Sequence, residues 1–166
     1  ACIECPMGTH LNQTGAVHVS DCEDCKAGKY IHVTGSDHMD DCIDCAAGKY
    51  AQDKGSTNIS DCSRCETGRY LNRPGGTRAL DCLKCPPGRY VDVEGSDDES
   101  KCIDCSAGKY VTRSGSVAES DCQECAAGKY VNATGSTRKN DCIDCPKGRF
   151  VASEGSDSVN RCSKCP

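Results

Sequence analysis

The chain has 166 residues, 18 of them Cys, a density that is typical of disulfide scaffolds. Apolar residues make up 36% with Cys counted among them, and there are one Phe, six Tyr and no Trp, so one large hydrophobic core is excluded and cross-links must stabilise the fold. The net charge of −5, with both signs interspersed, argues against nucleic acid and anionic membranes as partners, and no apolar run approaches the roughly 20 residues of a membrane span.

A repeat of 20 residues runs through the sequence. Cys-x-x-Cys pairs begin at every twentieth position from Cys2 to Cys162, without an insertion or deletion. We therefore predict these segments: 1–21 as a partial first repeat, the repeats 22–41, 42–61, 62–81, 82–101, 102–121, 122–141 and 142–161, and 162–166 as the start of a further one. Identical units joined by identical linkers repeat one rotation and one translation, which predicts a superhelical rod.

Within a repeat the elements follow in a fixed order. A Gly comes after the cysteine pair, and an aromatic ring follows two residues later: Tyr in most repeats, Phe150 in the last and His10 in the first. The Tyr-Val segment predicts a short β-strand of about three to five residues, and the glycines on both sides predict turns. Asp before the next Cys suits a cap or an Asx-turn. We also predict that each ring packs on a neighbouring disulfide.

The predicted fold class is therefore small and disulfide-rich. Tandem 20-residue modules, each with short β-strands or a hairpin, stack as an elongated superhelical rod. No segment shows helical periodicity over about ten residues, so no helices of note are expected.

Three pairing schemes are compatible with the cysteine spacing. In the first, the second Cys of each pair bonds the first Cys of the next and closes a loop worth roughly 3 kcal/mol. In the second, each pair closes on itself, at roughly 2 kcal/mol, and links nothing distant. In the third, successive pairs bind zinc, a recognised signature when they lie about 15–20 residues apart. The first is favoured because nine pairs cannot be shared evenly by two-pair zinc sites, and all segments between pairs follow one pattern.

The first scheme assigns sixteen cysteines to disulfides. They are Cys5, Cys22, Cys25, Cys42, Cys45, Cys62, Cys65, Cys82, Cys85, Cys102, Cys105, Cys122, Cys125, Cys142, Cys145 and Cys162. Cys2 and Cys165 are left without partners. Continuing the repeat places the partner of Cys165 beyond Pro166, so we expect the 166 residues to be a window in a longer chain of such units.

Three Asn-x-Ser/Thr sequons, at Asn12, Asn58 and Asn132, predict N-glycosylation. Together with the dense cysteines they favour the oxidising secretory route and an extracellular location.

Catalysis and metal binding have weaker support in the sequence. His10, His18, His32 and His38 occur only in the first two repeats and are interpreted as solvated surface residues, and no nucleophile has a recurring base beside it, so we predict no enzymatic function, no metal site and no cofactor. Calcium is a minor alternative because acidic residues cluster around the cysteine pairs. The clusters are Asp21, Glu23 and Asp24; Asp41 and Asp44; and Asp97, Asp98 and Glu99. A ladder of surface charges with Lys29, Lys49 and their equivalents explains these carboxylates equally well.

The segment from Cys25 to Tyr30, continued through Gly35-Ser36 to Asp41-Cys42, resembles the ephrin-receptor-like cysteine-rich repeat. It is also similar to the first half-module of tumour-necrosis-factor-receptor repeats, Cys-Pro-x-Gly-x-Tyr, which 85–90 and 145–150 match closely. The resemblance implies that the two cysteines flanking the strand bond each other, in support of the first scheme. It also implies extracellular, elongated, often glycosylated proteins. The second half-module of those receptors is absent, so their ligand binding is not carried over.

Two classes of function remain at this point. The first is an extracellular structural protein: a filament, surface hair or stalk whose partners are copies of itself, or further repeats, and attached glycans. The second is a ligand-binding or adhesion ectodomain of a cell-surface receptor. A binding site normally requires modules that differ, and variation here is spread thinly, which favours the first.

Overall fold

The computed structural model describes residues 4–166, in which one small unit recurs eight times. Two-residue strands pair into two-stranded sheets, each formed by the Gly-x-Tyr segment of one repeat and the Cys-x-x-Cys segment of the next. The paired strands are Thr9–His10 with Glu23–Asp24, Lys29–Tyr30 with Ile43–Asp44, Lys49–Tyr50 with Ser63–Arg64, Arg69–Tyr70 with Leu83–Lys84, Arg89–Tyr90 with Ile103–Asp104, Lys109–Tyr110 with Gln123–Glu124, Lys129–Tyr130 with Ile143–Asp144, and Arg149–Phe150 with Ser163–Lys164.

The strands are shorter than the three to five residues expected from the sequence, because the chain leaves the hairpin directly after the ring. Tyr30 forms an isolated parallel bridge with Ser56, and the N–H of Ile31 donates to the Ser56 carbonyl at 3.1 Å. Backbone groups that would have extended the hairpin are thus used to bind the following module.

A three-residue 3-10 turn precedes each cysteine pair from Cys22 onward. The turns are Val19–Asp21, Met39–Asp41, Ile59–Asp61, Ala79–Asp81, Glu99–Lys101, Glu119–Asp121, Lys139–Asp141 and Val159–Arg161. No α-helix occurs in residues 4–166, as predicted.

Most of the 3-10 turns end in an Asp, whose carboxylate closes the turn by accepting backbone N–H groups. Asp81 Oδ2 accepts from the N–H of Thr77 at 2.7 Å and from the N–H of Arg78 at 3.1 Å. Asp21, Asp61, Asp121 and Asp141 accept in the same way. The predicted capping role of this Asp is confirmed.

We expect Asp81→Ala to lower the free energy of unfolding by about 1 kcal/mol at neutral pH, the usual cost of losing a cap. The bond from the Thr77 N–H, aided by the Thr77 hydroxyl, the Arg78 N–H and the Arg73 guanidinium, lowers the pKa of Asp81 below its ordinary value. A carboxyl with a lowered pKa stabilises the folded state above its unfolded pKa of about 3.9, and this contribution is lost as the pH falls through the folded pKa.

The difference between wild type and Asp81→Ala, measured by urea unfolding, is therefore expected to shrink between pH 7 and about pH 3. Asp92→Ala, at an exposed position, is the control and is expected to stay within about 0.5 kcal/mol of wild type. A difference between wild type and Asp81→Ala that grows on acidification would contradict the assignment.

Within residues 4–166, eight disulfides join successive cysteine pairs, each bond linking the second Cys of one pair to the first Cys of the next with a sequence separation of 17. They are Cys5–Cys22, Cys25–Cys42, Cys45–Cys62, Cys65–Cys82, Cys85–Cys102, Cys105–Cys122, Cys125–Cys142 and Cys145–Cys162. Cys165 is free and exposed, and Cys2 lies outside the described residues.

Each small core consists of one disulfide, one aliphatic residue and one ring from the preceding module. Tyr50 packs on Cys65, Leu71 and Cys82, of which the sulfur-bearing residues are at most 1% exposed. Tyr30, Tyr90 and Tyr110 occupy the same place in the clusters that follow them. The predicted packing of rings on neighbouring disulfides is confirmed for these four rings, whereas Phe150 is 44% exposed.

The chain divides into two units, one made of Ala1–Glu66, Tyr70–Leu83 and Glu94–Asp98, the other of Thr67–Arg69, Lys84–Val93 and Glu99–Pro166. In the first unit, Gly8 donates its N–H to the Ile31 carbonyl at 3.0 Å, and Gly35 donates to the Cys5 carbonyl at 2.8 Å. A Cβ placed on Gly8 would lie 2.9 Å from the Gly55 carbonyl carbon. A module in this unit therefore contacts both the next module and the one after it.

Candidate functional site

The three predicted glycosylation residues are all exposed. Asn12 and Asn132 occupy the same position in their modules, immediately after the residue that follows the ring. Asn58 precedes a 3-10 turn, and its Oδ1 accepts from the Ser60 N–H at 3.0 Å. In Asn58 the oxygen holds the turn, and the amide nitrogen is the atom that would carry a glycan.

Open clefts lie beside two of these asparagines. One, of about 530 Å³, is lined by Asn132 together with neighbouring loop residues, Asp141 and Ile143. Another, of about 590 Å³, is lined by Asn12, its loop neighbours and Asp37. In the first cleft the Asp141 carboxylate already accepts two backbone N–H groups, so it is committed to holding its turn. The clefts present loop backbone and polar side chains to solvent.

In three hairpins a basic and an acidic side chain face each other, as expected for a ladder of surface charges. Lys29 Nζ lies 3.0 Å from Asp44 Oδ1, and Lys129 Nζ lies 2.7 Å from Asp144 Oδ1. Arg89 pairs with Asp104 in the same manner. These exposed pairs stabilise the hairpins by at most about 1 kcal/mol each.

Lys49, which the sequence placed in this ladder, departs from the pattern. Its cross-strand neighbour is Arg64, so two cations stand directly opposite each other, and Arg149 and Lys164 do the same in the last hairpin. Like charges in this register are destabilising. The ladder is therefore interrupted at these two hairpins, which expose basic pairs.

The acidic clusters considered for calcium are dispersed over separate roles. Asp21 and Asp41 accept backbone N–H groups at the 3-10 turns, and Asp44 pairs with Lys29. Within residues 4–166, the one group of three metal-ligating side chains whose ligand atoms converge within 4.8 Å contains no carboxylate. The clusters thus do not assemble a calcium cage in this part of the chain.

Two carboxyls of the turn Glu119–Asp121, those of Glu119 and Asp121, also have a lowered pKa. The Ser106 hydroxyl, with the ammonium of Lys109, lowers the pKa of Glu119. The backbone N–H of Val117, followed by that of Ala118, lowers the pKa of Asp121, and the Arg113 guanidinium that contacts it adds to the effect. All of these interactions support turns and strands.

The histidines do not share one environment. His18, His32 and His38 are exposed, as predicted, but His10 is only 4% exposed, so its assignment to the solvated surface is wrong. His10 takes the place that Tyr has in other modules and lies on the Cys25–Cys42 disulfide, with Nδ1 3.8 Å from Cys42 Sγ. The register relative to Tyr30 and its equivalents was the signal that could have placed this ring in a core.

A family model described as tyrosine-protein kinase ephrin type A/B receptor-like matches residues 60–102, 80–122 and 118–162. The matches overlap and together cover more than half of the chain. The chain belongs to the ephrin-receptor-like family. No curated protein matches it with significant similarity.

Membership of the ephrin-receptor-like family agrees with the recurring disulfides and hairpins. Repeats of this kind, dense in disulfides, fit an extracellular receptor-type ectodomain. Among residues 4–166 no helix is long and apolar enough to cross a membrane.

Proposed function

We propose that the chain is a non-enzymatic extracellular structural protein, a disulfide-stapled array that forms part of a filament, surface hair or stalk. The observation that carries this proposal is uniformity: hairpin, 3-10 turn and disulfide recur at intervals of 20 residues with no insertion. Recognition and catalysis are normally located in loops that vary on a constant scaffold. A chain that keeps every loop at one length is better suited to extension than to selecting a ligand.

The contacts between successive modules support an elongated form. In the first unit each module bonds its successor through backbone hydrogen bonds and a disulfide, and the same relation recurs inside the second unit. A repeated contact propagates one geometry, and its stability is a sum over neighbouring modules. We infer a rod whose length is set by the number of repeats, with further repeats or other copies of the chain as its partners.

A ligand-binding or adhesion ectodomain is the alternative. The ephrin-receptor-like family itself favours it, and so does the pairing of Lys49 with Arg64, which leaves this hairpin without the acid that Asp44 supplies to Lys29 in the preceding one. An anionic partner would relieve the repulsion between these two side chains.

Negative-stain electron microscopy of the native, secreted material distinguishes the two functions. A structural role predicts thin filaments of constant diameter that remain after the charge of Lys49 and Arg64 is removed by Gln substitution. Short isolated particles that bind a partner saturably, and lose it in the same Gln variant, would contradict the structural role and establish the alternative.

Secretion from a eukaryotic host is expected to add N-glycans at Asn12, Asn58 and Asn132, since all three side chains are exposed. The measurement is intact mass before and after peptide N-glycosidase. Ser60→Ala is a matched control: it removes a sequon while leaving the oxygen of Asn58 free to cap its turn. Finding all three asparagines unmodified would remove this support for the secretory route.

A further inference from the structure

The ring position of the first module combines three departures from the repeat. His10 replaces Tyr, and the residue opposite it in the hairpin is Glu23, whereas the same position in the later modules holds Ile, Ser, Leu or Gln and never an acid. Thr9 replaces the Lys or Arg that precedes the ring elsewhere. An imidazole, a carboxylate and the loss of a fixed cation therefore coincide at one hairpin.

The structure places this imidazole against sulfur. His10 Nδ1 lies 3.8 Å from Cys42 Sγ, and ligand atoms of His10, Cys25 and Cys42 all lie within 4.8 Å of one another. The three residues are at most 4% exposed. Tetrahedral zinc, with Zn–S of about 2.3 Å and Zn–N of about 2.0–2.1 Å, sets its nitrogen and sulfur ligands about 3.6 Å apart, close to the observed separation.

The opposite side of the ring is also suited to metal binding. His10 Nε2 lies 3.9 Å from Glu23 Oε2. A histidine that binds a metal through one nitrogen normally directs its other N–H to a carboxylate, which fixes the tautomer and raises the basicity of the ligand nitrogen. His10 has this arrangement, because its Nδ1 faces sulfur and its Nε2 faces the Glu23 carboxylate.

We propose that His10, Cys25 and Cys42 form a redox-gated zinc site. Two equivalents of a low-molecular-weight thiol reduce the Cys25–Cys42 disulfide: the S–S bond breaks, two protein thiols form and the reductant becomes its own disulfide. Zn²⁺ then displaces both thiol protons and binds two thiolates and His10 Nδ1, with water in the fourth position. Disulfides whose rings are Tyr offer sulfur without the imidazole, so within residues 4–166 only Cys25–Cys42 has the ligands to bind zinc when it is reduced.

The test is a thiol–disulfide equilibrium on the full 166-residue chain. A glutathione buffer, supplemented with dithiol if needed, is adjusted until half of Cys25–Cys42 is reduced without metal. Free Zn²⁺ is then set by a chelator, and thiols are trapped by acid, alkylated and mapped. Zinc at 100 times its dissociation constant is expected to shift the Cys25–Cys42 equilibrium toward dithiol about 100-fold. Cys45–Cys62, whose ring is Tyr30, is the internal control and is expected not to respond.

Two variants separate the metal site from a general effect of reduction. His10→Tyr restores the ring of the other modules and is expected to abolish the zinc-dependent shift. Glu23→Gln keeps the ligands and is expected to weaken zinc about 10–100-fold. With Co²⁺ as the probe, the thiolate-to-metal charge-transfer absorption of reduced wild type is expected to disappear in His10→Tyr. A zinc shift that is absent, equal at both disulfides, or unchanged in His10→Tyr would overturn the proposal.

Discussion

Replacing Gly88 by Ala is expected to destabilise the protein by about 2–5 kcal/mol. Gly88 has φ +84°, a conformation that costs an L-residue about 1–2 kcal/mol. A Cβ there would also lie 2.9 Å from the Gly135 carbonyl carbon and 3.1 Å from Thr137 Cγ2. Two modules that approach through backbone cannot yield by rotating a side chain, so the overpacking adds a further cost of about 1–3 kcal/mol.

Gly128→Ala is the matched control. Gly128 has φ +83°, and its N–H donates to Val151 as that of Gly88 donates to Val111, yet no described atom lies within 4 Å of a Cβ at this site. The control variant is expected to lose only the conformational part, about 1–2 kcal/mol. Urea unfolding of the two variants measures the contact between a module and the one two places later, and equal losses would show that this contact contributes nothing.

Replacing both Cys65 and Cys82 by Ala removes their disulfide and is also expected to lower the free energy of unfolding strongly. Chain entropy assigns a loop of this length about 3 kcal/mol. Leu71 and Tyr50 also lose the sulfur atoms on which they pack. Because the array is stabilised by contacts between modules that are close in sequence, we expect hydrogen exchange to accelerate most in the modules that this bond joins and to be little changed in distant ones.

Cys165→Ala provides the control for the loss of a cysteine as such. Cys165 is free and exposed, and its replacement is expected to change the unfolding midpoint little. A uniform loss of protection along the chain in the double variant would mean that the array unfolds as one cooperative body and not module by module.

Much of the module was predictable because strong local rules determine it. The ring of Tyr50 on a disulfide and the cap at Asp81 follow from a repeated register and from the chemistry of carboxylates beside N–H groups. The contact between Gly8 and Gly55 was not predictable, since it depends on how modules approach in space, which no single repeat encodes.

Pairs of substitutions that compensate each other in the fold could not be recognised from the sequence pattern either. Gly76 replaces the usual Ser of the second turn, and a Cβ there would lie 2.6 Å from Leu71 Cδ2. Leu71 is larger than Ala51 and than the Val that follows the ring in each later module, and its Cδ2 lies where a Ser side chain at position 76 would need space. The burial of His10 was missed for a related reason: composition marks a lone His as polar, while its register places it in a core.

Non-reducing peptide mapping of the secreted protein, combined with metal analysis, decides whether the cysteine pairs form disulfides or bind zinc. We expect peptides that link Cys25 to Cys42 and Cys45 to Cys62, a bond between successive cysteine pairs at each step, and no stoichiometric zinc in the oxidised protein. Bonds inside a pair, such as Cys22 to Cys25, or about one zinc for every two pairs released on acidification, would contradict a disulfide-stapled array.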